Sequence, residues 1–525
     1  MHFEAMRYFR LAVLIVLWEL FVITKSSISN HVELKQKSGY GSGPPNIIFI
    51  VADDLGYNDV SWHDPNVITP NLDELARDGI ILEGHYVQET CTPTRSALMT
   101  SYYPIHTGRQ NGPISTKEPI GLYTNYTLMP EYFKDIGYRT HAIGKWHLGY
   151  CHEDYLPTRR GFDTFYGFYN SQLDHFKHCS VMMKPPLYDF RDQDQVDYTA
   201  NGTYSAFLFG QRAVNIIDDN VANHSDKPMF MYLAFQNVHS PIQVPIEYEE
   251  MYPNVSLKLR KKHLGMISAM DDMVGILTEK LKSTGLYDNT IIVFTSDNGS
   301  QMNNGGTNWP LRGTKQTWWE GGTRSVAFVY SDKLKKTRKD VNRNLIHVVD
   351  WLPTLLSAVK DELSEENQQK IEKFLSENRD GINQWPMLLG DEKIKRNEMV
   401  YNILKSDGKY KGAIRMGDYK LCLGYPRGAK GQDGYYSPQQ LSYYVSKKLI
   451  PFLMEEDEIF LFNLKDDPSE YINIAEKNIE IVKAMRSRLR EYVSTVIPEH
   501  TAKSTEACTK FGGVLSPGWC ESAPK

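Results

Sequence analysis

The chain lacks any marked excess of one charge. Lys and Arg number 59 against 64 Asp and Glu over 525 residues, a net charge of −5. Neither nucleic acid nor an anionic membrane is therefore indicated as a partner. Beyond its first residues it also lacks an apolar run of the ~20 residues that a bilayer span needs, so no stable membrane span is expected. No internal repeat of solenoid type is visible. Cysteine is scarce, with six residues at 91, 151, 179, 422, 508 and 520. What is present is the make-up of an ordinary globular protein able to bury a large core, 41% hydrophobic and 23% charged. The length suggests two to four domains.

Residues 1–25 read as a secretory signal peptide. Arg7 and Arg10 precede the apolar residues 11–18, and Thr24-Lys25-Ser26-Ser27 follows. Residues 26–43 are polar and rich in Ser and Gly, a linker. Asn125, Asn201, Asn223 and Asn254 each open an N-glycosylation sequon. The expected compartment is the secretory pathway, lysosomal or secreted. Asn298 also fits the pattern, but the role assigned to it below leaves no place for a glycan. With Cys91 set aside as a reactive residue, five cysteines remain. Cys508 could pair with Cys520 and Cys151 with Cys179, leaving Cys422 over; spacing alone leaves the connectivity open.

Continuous apolar runs at 47–51, 230–235, 291–294 and 326–329, with a shorter one at 138–143, read as strands buried on both faces. Helical patterns fall between them. Pro70 opens a helix after Thr69 as its cap. Residues 258–281 place Leu264, Ile267, Met270, Val274 and Leu277 at helical spacing. Residues 348–359 offer another helix. The alternation predicts an α/β fold over residues 44–395 with a large, mostly parallel central sheet flanked by helices. Short antiparallel strands at 410–425 and 458–463, with an amphipathic helix at 476–494, predict a smaller C-terminal α+β domain over 396–525.

Two strand ends resemble each other. The run 48–52 leads into Asp53-Asp54-Leu55-Gly56, and 292–296 into Asp297-Asn298-Gly299. Ligand sites gather at the carboxyl ends of strands in open α/β sheets. Three carboxylates and an amide oxygen there make a hard site, suited to Ca²⁺ or Mg²⁺ rather than Zn²⁺; turn and capping roles are the alternative. Gly144-Lys145-Trp146-His147 follows a candidate strand. Lys145 supplies a point cation and His147 a group that titrates near neutrality; if the segment stays extended, both face the same way. His239 follows another strand. Lys315 lies in a Gly-containing loop, and Arg95 lies one helical turn beyond Cys91.

With Cys91-Thr92-Pro93-Thr94-Arg95, Gly144-Lys145-Trp146-His147-Leu148-Gly149, Val238-His239, Asp297-Asn298-Gly299 and Asn308-Trp309-Pro310-Leu311-Arg312-Gly313 in order, the chain resembles the type I sulfatases, closest to the arylsulfatase B group. The resemblance implies an alkaline-phosphatase-like sulfatase fold and the hydrolysis of sulfate monoesters. It implies that Cys91 becomes formylglycine, made by the formylglycine-generating enzyme during maturation. Asp53, Asp54, Asp297, Asn298 and the modified Cys91 would hold one Ca²⁺ per chain. Arg95 would steady the formylglycine, Lys145, His239 and Lys315 would bind the sulfate, and His239 or Lys315 would protonate the leaving alcohol. His147 would pair with the hydrated aldehyde. The family signature usually continues Thr-Gly-Arg, whereas this chain reads Thr100-Ser101-Tyr102. The expected substrate is a sulfated sugar, such as N-acetylgalactosamine 4-sulfate, or a small-molecule sulfate ester such as a glucosinolate. Trp318, Trp319 and Tyr102 are candidates for a sugar or aryl platform. A non-catalytic binding protein with an unmodified Cys91 is the reading of another class. A phosphatase of the same superfamily is disfavoured, because position 91 holds neither Ser nor Thr and no His-rich two-metal site is visible.

Overall fold

The computed structural model describes residues 43–521 except 338–339, 392, 394, 407–408, 425, 427–437, 439–457 and 500. The expected signal peptide lies outside the described residues, as does the linker up to residue 42. The strands in chain order are β1 (Asn46–Ala52), β2 (Ile80–Leu82), β3 (His85–Tyr86), β4 (Arg139–Lys145), β5 (Thr164–Phe168), β6 (Arg191–Asp192), β7 (Gln195–Val196), β8 (Met229–Ala234), β9 (Thr290–Ser296), β10 (Ala327–Tyr330), β11 (Val341–Asn342), β12 (Ile346–His347), β13 (Glu398–Ser406), β14 (Lys409–Met416), β15 (Tyr419–Leu423) and β16 (Ile459–Asn463). All five apolar runs that the sequence offers as strands are strands.

Ten of them form one sheet in the order β11-β2-β10-β9-β1-β8-β4-β5-β6-β7. From β9 to β5 every pair is parallel. The run at 326–329 reads like the others but is β10, which pairs antiparallel to β9; a strand covered on both faces is apolar throughout whichever way it runs. The sheet is buried from both sides. Along β1, Ile47, Phe49 and Val51 join one buried cluster and Ile48, Ile50 and Ala52 the other, the alternation a pleated strand imposes.

The helices that matter here are α1 (Pro70–Asp78), α2 (Cys91–Thr100), α3 (Met129–Asp135), α4 (Ser205–Asn223), α5 (Lys258–Ser283), α6 (Trp351–Val359), α7 (Glu365–Ser376) and α8 (Ile479–Thr495). Side chains of α2, α3, α6 and α7 fill the first cluster, and those of α1, α4 and α5 the second. The five apolar positions expected on the helix at 258–281 are all buried on α5. The N-cap of α1 differs from expectation. The Thr69 hydroxyl makes no cap bond and instead accepts from the Ser61 N–H at 3.0 Å. The cap is the Asp271 carboxylate of α5, which accepts from the N–H groups of Asn71 at 3.1 Å and Leu72 at 2.7 Å. A side chain from another helix thus satisfies N–H groups that the first turn of a helix leaves without a partner.

The second sheet is antiparallel, in the order β13-β14-β15-β16, with Val482, Met485 and Leu489 of α8 packed in one cluster with Ile414 and Leu421. β13 is not among the expected strands. Its register shifts between Val400 and Asn402, and such a bulge breaks the period-two pattern by which a strand is read. The cysteine pairing also differs: Cys151 bonds to Cys520, while Cys179, Cys422 and Cys508 are free. The tail is brought there by its backbone, since the N–H groups of Gly518 and Trp519 both donate to the Cys151 carbonyl, at 2.8 and 3.1 Å.

Candidate active site

The strand pairing puts the two acid-rich ends side by side. Ala52 pairs with Ser296 across β1 and β9, so Asp53-Asp54 and Asp297-Asn298 leave the sheet together. The Asp54 N–H donates to Asp297 Oδ1 at 3.3 Å, and the Asn298 amide donates to Asp54 Oδ1 at 2.7 Å. β8 adds a third end. The Asp53 N–H donates to the Asn237 carbonyl and the Val238 N–H to the Asp53 carbonyl, which places His239 beside the acids. β4 adds a fourth, with Lys145 as its last residue.

Helix α2 closes the site from above the strand ends. All ten of its residues are buried. Thr94 Oγ1 donates to the Asp297 carbonyl at 2.5 Å. Arg95 donates through Nε and Nη2 to Asp297 Oδ2 at 3.1 and 2.8 Å, and through Nη1 to the Lys145 carbonyl and the Tyr232 hydroxyl, each at 3.1 Å. These bonds fix the register of the helix against three strands. Cys91 is its first residue, with Sγ 3.7 Å from Asp53 Oδ1 and 3.4 Å from Lys315 Nζ. Lys145 Nζ donates to Asp53 Oδ2 at 2.6 Å and Lys315 Nζ to Asp54 Oδ1 at 2.5 Å. Asp53, Asp54, Cys91 and His239 each place one donor atom within 4.8 Å of the others'. Asp53, Asp54, Cys91, Arg95, Lys145, His239, Asp297, Asn298 and Lys315 are thus in one buried cluster or bonded to it.

The charges explain the titration of these groups. Burial pushes Asp53 and Asp54 up, but Lys145 and Lys315 respectively outweigh it and hold both below the ordinary carboxylate range. Burial, reinforced by Asp297, pushes the Cys91 thiol up to about 12, so it stays protonated near neutrality. Burial and then Lys145 hold His147 well below its ordinary value. Burial also lowers His239, against the pull of Asp54.

Two expectations fail. His147 does not share an extended segment with Lys145: β4 ends at Lys145, and His147 has φ 57°. It reaches the site by a turn, and its carbonyl accepts from Thr92 Oγ1 at 3.0 Å. Its Nε2 lies 2.9 Å from the Ile114 carbonyl. A carbonyl only accepts, so Nε2 carries the proton and Nδ1, buried without a partner, is the free base. The aromatic platform fails as well. Trp318 and Trp319 are wholly buried, Trp319 between Arg312, Phe460 and Phe462. Tyr102 lies past the far end of α2, against Tyr126 and Arg379.

The donor set fits a hard cation. Asp54 Oδ2 and Asn298 Oδ1 are buried acceptors without a hydrogen-bond donor, which is costly unless something positive meets them. His239 Nδ1 is committed to the Ser240 carbonyl at 2.7 Å, so its Nε2 lone pair faces Asp54 Oδ2 at 3.7 Å. Asn298 is buried and carries no accessible sequon, whereas Asn125, Asn201, Asn223 and Asn254 are exposed.

The family model described as Sulfatase matches residues 45–361. Arylsulfatase J of Mus musculus is 35% identical over 536 residues, covering 97% of this chain and 86% of that protein. Arylsulfatase A of Bos taurus is 30% identical over 517 residues, covering 91% and 95%. Among solved structures, Ps i-CgsB in complex with k-i-k-neocarrahexaose is similar at TM-score 0.72 and 29% identity, over 88% of this chain and 96% of that one.

Proposed function

Because the chain belongs to the sulfatase family and is a sulfuric ester hydrolase, we propose that Cys91 is its nucleophile in precursor form and that a sulfated sugar is its substrate. The observation that carries this is the position of Cys91, at the first turn of α2 and within 3.4 Å of Lys315 Nζ. A thiol pushed up to about 12 is a poor nucleophile there. In this family the cysteine is converted to formylglycine, whose hydrate supplies the attacking oxygen. That step calls for the formylglycine-generating enzyme as a partner in maturation. Asp53, Asp54, Asp297 and Asn298 would hold a divalent cation, with Ca²⁺ the best match to an oxygen donor set. When bound, such an ion supplies fixed positive charge against the ester's sulfate.

The chain's own residues do the rest. Lys145 and Lys315 offset the anionic sulfate and the charge that shifts within it as the ester bond breaks. Arg95 stays charged and locks α2 to Asp297, so residue 91 is held on line. The N-terminus of α2, which begins at Cys91, would present the positive end of its dipole to the same anion. Lys315 carries a proton within the cluster that it can give to the leaving alcohol; His239, whose Nδ1–H is held by the Ser240 carbonyl, can do so only after its Nε2 has itself taken up a proton. His147, neutral and with Nδ1 free, takes up a proton when the nucleophile is regenerated.

The sugar assignment rests on relatives. N-acetylgalactosamine-6-sulfatase of Mus musculus is 29% identical over 402 residues, 72% of each chain, and Ps i-CgsB was crystallised in complex with k-i-k-neocarrahexaose. We place the protein in the secretory pathway, lysosomal or secreted, with glycans on the four exposed sequons. Mass spectrometry of the peptide carrying residue 91 tests the mechanism. An aldehyde is expected, and an intact thiol in fully active protein would overturn it, as would turnover by a Cys91→Ala variant. A panel of sulfated sugars, aryl sulfates and glucosinolates tests the substrate; preference for a glucosinolate would refute the sugar assignment.

A further inference from the structure

One buried carboxylate behind the strand ends has no part in the chemistry above. Asp59 is wholly buried. Its Oδ2 accepts from the N–H of Gly56 at 3.1 Å, from the N–H of Thr307 at 3.1 Å and from His263 Nε2 at 3.2 Å. Its Oδ1 accepts from Arg260 Nη1, which also donates to the Gly305 carbonyl at 3.1 Å. Gly56 follows Asp54 by two residues, and Gly305 to Thr307 lie on the loop that begins at Asn298. Both acid-bearing loops are therefore tied to one charge. The loops are shaped to reach it. A Cβ on Gly56 would fall 2.2 Å from the Thr307 carbonyl oxygen and 2.6 Å from Asp59 Oδ2, and one on Gly306 would fall 1.5 Å from Ser300 Oγ. The Asn58 N–H adds a direct bond to the Thr307 carbonyl. Arg260 and His263 are three residues apart on α5, on one face of that helix, so the charge is itself anchored to a long rigid element. Arg260 and then His263 outweigh the effect of burial and hold Asp59 down to about 2, ionised across the working range.

We infer that Asp59 is a positioning residue that fixes the spacing of the Asp53-Asp54 and Asp297-Asn298 strand ends and thereby sets the affinity of the site for its divalent ion. The inference rests on the metal reading proposed above. An Asp59→Asn side chain keeps the shape but trades an acceptor oxygen for a donor NH₂ that faces N–H groups, so one loop must move. Outer-shell substitutions of this kind cost about 10- to 100-fold in metal affinity. The test uses the full-length enzyme and calcium ions alone, in competition with a chelator, with bound calcium read by elemental analysis. Wild type should retain one ion. Asp59→Asn should bind about 10- to 100-fold more weakly, and its activity should need correspondingly more calcium while KM at saturating calcium stays near wild type. His263→Gln, which weakens one bond to the same oxygen, should shift affinity in the same direction by less; it decides the matter if Asp59→Asn does not fold. Wild-type calcium affinity in the variants that fold would overturn the inference. Wild-type enzyme that binds no calcium would overturn the metal reading, and this inference with it.

Discussion

At the scale of single residues, the end of α2 is where this chain departs from its family's signature, and the structure shows what takes over. Ser101 stands where the signature has glycine, and it sits at φ 62° in the left-handed region. Its hydroxyl donates to the Val349 carbonyl at 2.9 Å, a bond that offsets part of the strain of a side chain there. Tyr102 stands where the signature has arginine. Arg379 reaches the same place from another segment: its guanidinium lies 5.1 Å from the Tyr102 ring centroid, and Nη1 donates to the Thr100 carbonyl at 3.4 Å. A cation at a helix C-terminus is worth about 0.3–1 kcal/mol, and a cation–π contact about as much again. Arg379→Ala should therefore lower stability by about 1–2 kcal/mol in urea titrations. Tyr102→Arg in that background should restore part of the loss while leaving the aldehyde content at residue 91 unchanged. Within the site, Lys315→Ala should cost about 10²–10³ in kcat, the range for removing one preorganised donor to developing charge. That is checked at saturating substrate on protein with measured aldehyde content.

At the scale of elements, the bulge in β13 carries a prediction. It turns Asn402 inward, where Nδ2 donates to Glu89 Oε1 at 2.8 Å and to the Gln110 carbonyl at 2.7 Å. Glu89 lies two residues before Cys91, so the second sheet touches the segment that leads into Cys91. Asn402→Ala leaves two buried acceptors without that donor and should cost about 1–3 kcal/mol, visible as a lower thermal midpoint. The site was largely legible in the sequence because its parts sit at strand ends. An apolar run followed by Asp-Asp or Asp-Asn reads as a strand and its terminus, and β1 and β9 put those termini in register. What was not legible came from contacts across the chain. Asp271 capping α1 lies some 200 residues from the helix it serves. Asp59 looks like one more acid in a turn until Thr307 and His263 are seen around it. His147 needed its φ, and the two tryptophans at 318 and 319 needed their burial, which a sequence of aromatic residues does not report. β13 was hidden by its own bulge.

At the scale of the whole molecule, pH acts through buried groups far apart. Five buried histidines, His85, His141, His175, His178 and His347, are held below their ordinary value, in each case by burial first. His85 shows why, since its Nε2 accepts from the Trp351 indole N–H at 2.9 Å and is kept neutral. The unfolded chain takes up protons at these positions as pH falls through 6.5 while the folded protein does not, so acid favours unfolding by up to about 1.4 kcal/mol per pH unit for each. Three buried carboxyls pull the other way. Burial raises Asp189 to about 6 and Asp271 and Glu470 each to about 7, and their contribution is present in acid and lost as pH rises through those values. The histidines outnumber them, so the thermal midpoint should fall as pH is lowered from 6 to 5 in calcium-saturated buffer; a rise would refute this balance. The disulfide acts at the same scale. Cys520→Ser should cost about 2–5 kcal/mol, read from urea unfolding. It also imposes a schedule. At about 5–20 residues per second of synthesis, Cys151 emerges and then waits roughly 20–75 s before Cys520 exists, 369 residues later. Cys179 arrives within seconds of Cys151 and is a free thiol in the finished protein. The nascent chain thus meets the wrong partner first, and replacing Cys179 with Ser should raise the yield of correctly bonded protein by removing that rival.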